Sequence, residues 1–159
     1  MRKLDAYKLY LGLMFFTSFF FSMIFVVTSF YEATVAGLTG LQLVLVGTTV
    51  ELTILLFEIP TGIVADAYSR RLSIIIGYFI MGLAFIVEGS FPAFLPIVLA
   101  QVLWGIGYTF TSGATQAWLS DEIGEAQANR ALMRGNQFDL AGALVGMLVA
   151  IPLGIAVAD

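Results

Sequence analysis

Glu51 lies in the middle of the run LVLVGTTVELTILLF, with no basic residue at the same depth. Placing an ionisable group inside an apolar segment costs on the order of 3 kcal/mol if the segment lies in hydrocarbon. A carboxyl there can load and release a proton, or hold a cationic solute. The competing reading is a neutral glutamate hydrogen-bonded to a Thr or Gln of a neighbouring helix. Glu58 follows seven residues later, on roughly the same face of a helix. Just beyond it, FEIPTGIVADAYSRR packs a proline, a glycine, two acids and two arginines into a chain that otherwise shuns charge. Gln101 and Tyr108, in LAQVLWGIGYTF, are further polar points that could line a cavity. Gln42, Thr109, Thr111 and Gln116 are more in keeping with interhelical hydrogen bonds, worth about 1 kcal/mol or less each.

Other chemistries are missing. The chain has no Cys and no His. That removes disulfides, thiol nucleophiles, the usual zinc and haem ligands and histidine relays. No pair of acids falls within one turn inside an apolar run. The sequence therefore points away from an enzyme and offers no cofactor or metal site. Nothing in it suggests a nucleic-acid partner, and a channel would lack a repeated pore signature.

The elements that must carry these residues follow from composition. The chain is 60% hydrophobic and 11% charged, with a mean hydropathy of +0.97. A soluble domain carries about 25% charged residues. The apolar runs reach the roughly 20 residues that one helix needs to cross a bilayer. They are continuous rather than alternating, which argues against a barrel. In hydrocarbon every backbone N–H and C=O must be satisfied within its own segment, so the spans are helices. The expected fold class is an all-α, polytopic transmembrane bundle of five spans: Leu9 to Tyr31, Leu41 to Ala65, Leu72 to Glu88, Phe94 to Leu119 and Phe138 to Val157. The first run is too long for a signal h-region and no clean A-x-A site follows it, so it is read as an uncleaved span. Glu32 and Glu88 fall at the ends of spans and are expected to be solvated.

Five spans put the N-terminus, the second-to-third and the fourth-to-fifth connections on one side. All seven basic residues fall there: Arg2, Lys3, Lys8, Arg70, Arg71, Arg130 and Arg134. By the positive-inside rule that side, with the N-terminus, is cytoplasmic, and the protein is a multi-pass resident of the plasma or inner membrane. The fourth-to-fifth connection, SDEIGEAQANRALMRGNQ, reads either as a short amphipathic helix on the cytoplasmic surface, with Ile123, Ala126 and Leu132 toward the lipid or the bundle, or as a solvated loop. In the fifth span, Gly142-x-x-x-Gly146 allows close helix packing.

The segment Gly62-Ile-Val-Ala-Asp66-Ala-Tyr-Ser-Arg70-Arg71 resembles the signature of the major facilitator superfamily of secondary transporters, G-x-x-x-D-R/K-x-G-R/K-R/K. In that family it lies in the cytoplasmic connection between spans two and three. Two positions depart: Ala67 stands where a basic residue is usual, Ser69 where Gly is usual. Span four has Gly105 and Gly107 of a second family pattern, but Gln101 replaces its intramembrane arginine, against simple proton–drug antiport. Glu58-Ile-Pro-Thr-Gly62 and the stretch around Ser112 to Leu119 are similar to bacterial members.

The resemblance implies a conformational latch: Gly62 for close approach, Asp66 accepting from a neighbouring helix N-terminus, and Arg70 and Arg71 pairing reversibly with acids. The partners expected are Glu58, Asp121 and Glu122, with Asp139 as a further member. The latch would hold the outward-facing state of a rocking transporter, and simple anchoring of the loop by its arginines is the alternative. The function implied is secondary active transport of a small molecule by alternating access, with efflux as the bacterial likeness suggests. The partners implied are the lipid bilayer and a small-molecule substrate, with a proton as candidate coupling ion. The family has about twelve spans in two halves. Five spans then correspond to an N-terminal portion of a longer permease, whose second half or a partner chain completes the site. The alternative is a non-transporting or half-size subunit that acts by helix packing.

Overall fold

A computed structural model describes residues 3–158, with side chains from Ala6 to Ile155. The described residues form five helices and no strand: α1 (Lys3–Thr34), α2 (Gly40–Ala67), α3 (Arg70–Ser90), α4 (Phe94–Ile123) and α5 (Glu125–Ala158). All five are long and apolar enough to cross a membrane.

The helix ends show why they fall where they do. Thr39 and Gln42 form a reciprocal capping box at the start of α2. The Thr39 amide donates to Gln42 Oε1 at 2.9 Å and the Gln42 amide to Thr39 Oγ1 at 3.4 Å. Two of the amides that a helix start leaves open are thereby satisfied. Gln42 thus caps a helix and is not a cavity residue. Ser69 caps α3, its Oγ accepting from the Leu72 amide at 3.3 Å. Its φ of −167° is extended backbone, so the glycine usual in the resembling signature is not required here, and serine adds a cap that glycine lacks.

The long polar connection is neither a separate surface helix nor a loop. α4 runs on to Ile123, one residue interrupts, and α5 starts at Glu125. The interrupting residue is Gly124, at φ +83°, a left-handed conformation that side chains disfavour. The rest of the connection lacks proline and is rich in Ala, Glu, Gln, Leu and Arg, all good helix formers. Ile123 is buried, Leu132 half-buried and Ala126 exposed.

The chain divides into two compact units. The first holds α1, α4 from Leu119 onward, and α5. Here α1 and α5 run parallel along their lengths: Gly135 lies against Tyr10, Gly142 against the Phe15 carbonyl, Gly146 against the Phe19 carbonyl and Gly154 against Phe30. Ala128, Ala131 and Ala150 are fully buried on the same stripe. With no side chain between them, the backbones approach to contact distance.

The second unit spans Ala36–Trp118. α3 and α4 cross antiparallel: Gly77 meets Thr111 and the Gly107 carbonyl, and Gly107 meets Met81. The Ser73 hydroxyl donates to the Phe110 carbonyl at 2.8 Å. Gly105 of α4 receives Thr53 of α2. Most threonines satisfy their own helix: Thr53 donates to the Thr49 carbonyl, Thr109 to Ile106 and Thr111 to Tyr108, at 2.7 to 2.8 Å. Thr109 and Thr111 are therefore buried with their hydroxyls satisfied on their own helix. α2 buries only Val46, Thr53, Thr61 and Ala65. Parallel α1/α5 and antiparallel α3/α4 are the directions that a chain threading back and forth must produce.

Candidate functional site

Asp66, Ser69, Arg70 and Arg71 of the second unit gather where α2 ends and α3 begins. Asp66 occupies the last turn of α2, and Tyr68 and Ser69 alone separate α2 from α3. Arg70 is the first residue of α3, four positions after Asp66. That spacing brings the guanidinium to the carboxylate: Arg70 Nε and Nη2 each lie 3.2 Å from Asp66 Oδ1. The third nitrogen of the same guanidinium, Nη1, reaches the Ala117 carbonyl of α4 at 3.3 Å. Arg70 therefore ties three helices: it starts one, pairs with the end of the second, and holds a main-chain oxygen of the third. A planar fork of donors can do this; a lysine ammonium would do it less well. The Asp66 side chain is 69% exposed. Its ion pair is therefore worth no more than about 1 kcal/mol, which makes it easy to break and remake.

Beside this pair, α2 and α4 enclose a recess of about 250 Å³. Its wall includes Glu58, Gly62, Asp66 and Arg70 from the α2–α3 side, with Ser112 and Gly113 from α4. Gly62 has nothing within 4 Å of where its Cβ would stand. It holds the recess open and does not seat a described helix. Glu58 is exposed and shares the recess with Asp66 and Arg70. Arg71 is exposed.

Glu51 stands on the exposed face of α2, one heptad before Glu58. Gln101 is 7% exposed. It shares a face of α4 with Trp104 and Tyr108, whose rings stack at 5.3 Å and 14°. Tyr108 is partly exposed. Asp121 and Glu122 lie in the last turn of α4, within the first unit. Asp139 also lies in the first unit.

Glu88 differs from expectation. Although it lies near the end of α3, it is 2% exposed and not solvated. The position of a residue in a span fixes its depth, but packing of its face decides its exposure. The contact that sequence reasoning missed is the Ala117 carbonyl, a backbone atom that no residue type announces. The signal for Gly77 as a packing residue was available: it lies within a helical run, four residues before Met81, where glycine costs helix stability unless close approach repays it. Among the described residues, no group of three acids could hold a metal ion.

The chain is similar to a curated protein of Bacillus subtilis (strain 168) called an uncharacterized MFS-type transporter, YxaM. The two are 26% identical over 110 residues. The match covers 69% of this chain and 28% of that protein, so the chain spans well under two thirds of the relative's length. No protein-family model matches the chain, and no solved structure does. The likeness to a transporter of the major facilitator type is a distant one, and it agrees in kind with five membrane-length apolar helices.

Proposed function

We propose that this chain works in secondary active transport of a small molecule across a membrane, by alternating access, as the N-terminal portion of a longer permease. Its N-terminus is cytoplasmic and efflux is the direction proposed. The observation that carries the reading is Arg70, a single side chain that joins α2, α3 and α4 at one end of the bundle through an exposed ion pair and one main-chain hydrogen bond. A connection of this kind is strong enough to bias a conformational equilibrium and weak enough to release. In this reading Gly62, Asp66, Arg70 and Arg71 form the latch around the recess, and Glu58, Asp121 and Glu122 are the acids available to it. The distant transporter relative supports the general class.

Glu51 is the proposed coupling or substrate carboxyl, with Gln101 and Tyr108 as further solute contacts. Its exposed position on α2 is costly against lipid, and the cost is relieved if the face borders a solvated pathway. The test is solute flux through the complete protein in proteoliposomes, driven by an imposed pH gradient and read on a panel of organic cations and neutral solutes. Glu51→Gln is expected to insert normally and to lose the gradient-driven flux. Flux equal to the unsubstituted protein would remove Glu51 from the mechanism; no flux of any solute through the unsubstituted protein would count against proton-coupled transport itself.

A further inference from the structure

The first four turns of α5 have a face that transport does not use. α5 has 34 residues, a length of about 51 Å. The hydrocarbon core of a bilayer is about 30 Å thick. Apart from Met133, the exposed large apolar residues described on α5 run from Phe138 to Ile155, the last described side chain, about 27 Å at the helical rise and enough to fill most of the core. The turns before Phe138 therefore stand outside it.

The helix has two faces. Ala128, Ala131, Gly135, Gly142, Gly146 and Ala150 are buried on one. The opposite face is exposed throughout, and along it Leu144 and Leu148 lead back through Gln137 to Arg134, Met133 and Arg130. The stripe that meets acyl chains thus continues, on the same side of the helix, into two arginines. Arg134 lies about 9 Å along the axis before Leu140. The headgroup layer occupies roughly 5–8 Å beyond each side of the core, within reach of an arginine side chain from there. The Arg134 Nη1 group donates to Gln137 Oε1 at 3.3 Å, and Gln137 is one turn nearer the membrane, so the guanidinium is turned toward the lipid. No acid shares this face. Glu125 and Asp139 of α5 fall on the far side of the helix by their spacing. Asp121 and Glu122 precede the Gly124 joint. Lys8 of α1 is exposed two residues before Tyr10, which packs on Gly135, and adds a cation at the same level.

We propose that Arg130 and Arg134 bind the phosphate of an anionic phospholipid, making the first turns of α5 a headgroup site of the leaflet they cross. The guanidinium fork suits a phosphate bidentately, and basic residues beside a membrane helix attract anionic lipid. The proposal rests on the membrane-spanning reading and not on transport.

Its test uses the complete protein in phosphatidylcholine bilayers with spin-labelled phosphatidylglycerol or phosphatidylcholine, reading the share of motion-restricted lipid by electron paramagnetic resonance. The unsubstituted protein is expected to prefer phosphatidylglycerol. Arg130→Gln with Arg134→Gln should reduce that preference by up to about fivefold per arginine, with helicity by circular dichroism unchanged. Arg130→Lys with Arg134→Lys should keep part of it. Any of four results would overturn the proposal: no preference in the unsubstituted protein; the same preference in the glutamine variant; displacement of the lipid by millimolar inorganic phosphate, which would mark a free-anion site; or a face closed to lipid by a second protein, seen as an oligomer that takes up no restricted phosphatidylglycerol. A protein that proves not to transport leaves this experiment standing.

Discussion

The α1–α5 pair and the end of α2 with α3 and α4 are held by opposite means. In the first, glycines at 135, 142, 146 and 154 put one backbone against another helix, and where Gly142 and Gly146 meet Phe15 and Phe19 the neighbour is a carbonyl. Those two backbone contacts have no charge to titrate and no rotamer to change. They are lost only if the helices separate. In the second, Asp66, Arg70 and the Ala117 carbonyl meet through long side chains at 3.2 to 3.3 Å, beside an open recess. That contact can be exchanged for another at small cost. The contrast separates a part of the bundle suited to staying as it is from a part suited to switching, and it needs both glycine types: those at 142 and 146 that admit a neighbour, and the one at 62 that has none.

The largest effect is expected from Gly142→Leu. Any Cβ there would overlap the Phe15 carbonyl, and overpacking of this kind costs about 1–3 kcal/mol or more. Thermal unfolding in detergent should show a clearly lowered Tm; an unchanged Tm would mean that the α1–α5 contact is not tight. Gly124→Ala comes next. Its left-handed φ costs a side chain about 1–2 kcal/mol, so a moderate drop in Tm is expected, where a flexible joint would give none. Arg70→Gln should change stability by less than about 1 kcal/mol, because its pair with Asp66 is exposed. A large loss of Tm in this variant would make the contact structural. Gly62→Ala should be the mildest. With open space at the Cβ position and helical backbone, alanine gains about 0.5–1 kcal/mol of helix propensity. Destabilisation by Gly62→Ala would place a neighbour in the recess and erase the contrast with Gly142.

The helices were legible because the solvent dictates them: long apolar runs in hydrocarbon have to satisfy their own backbones. Gly142 and Gly146 were legible for the same reason, as spaced glycines on an apolar helix have few uses other than close packing. The resemblance put Asp66 and Arg70 in one latch, but with other partners, a helix N-terminus for Asp66 and the acids of span four for Arg70, and their direct pairing four residues apart was not read. What the sequence hid depends on three-dimensional neighbours. Gln42 looked like a polar point on a span, and only the position of Thr39 and the start of α2 make it a cap. The segment from Ser120 to Gln137 is polar enough for a loop or a surface helix. Its continuity with α5 comes from Ala128, Ala131 and Gly135 packing on the first unit's own core, which composition does not reveal. Glu88 looked solvated by its depth and is enclosed by its face. Ser69 looked like a departure from a glycine position, until its extended φ showed that no glycine was needed.

The central claim is that the Arg70 contact is a switch and not a strut. The chain has no cysteine, so a Ser112→Cys reporter on the recess wall meets no other thiol within these 159 residues, and any elsewhere in the complete protein is first replaced by serine. The measurement is the labelling rate of that cysteine by a membrane-impermeant maleimide in the complete protein, with Arg70 intact and with Arg70→Gln. The account predicts a severalfold change in rate with Tm almost unaltered, because releasing the contact redistributes the conformations that open and close the recess. Equal labelling rates in the two proteins, with both folded, would contradict it.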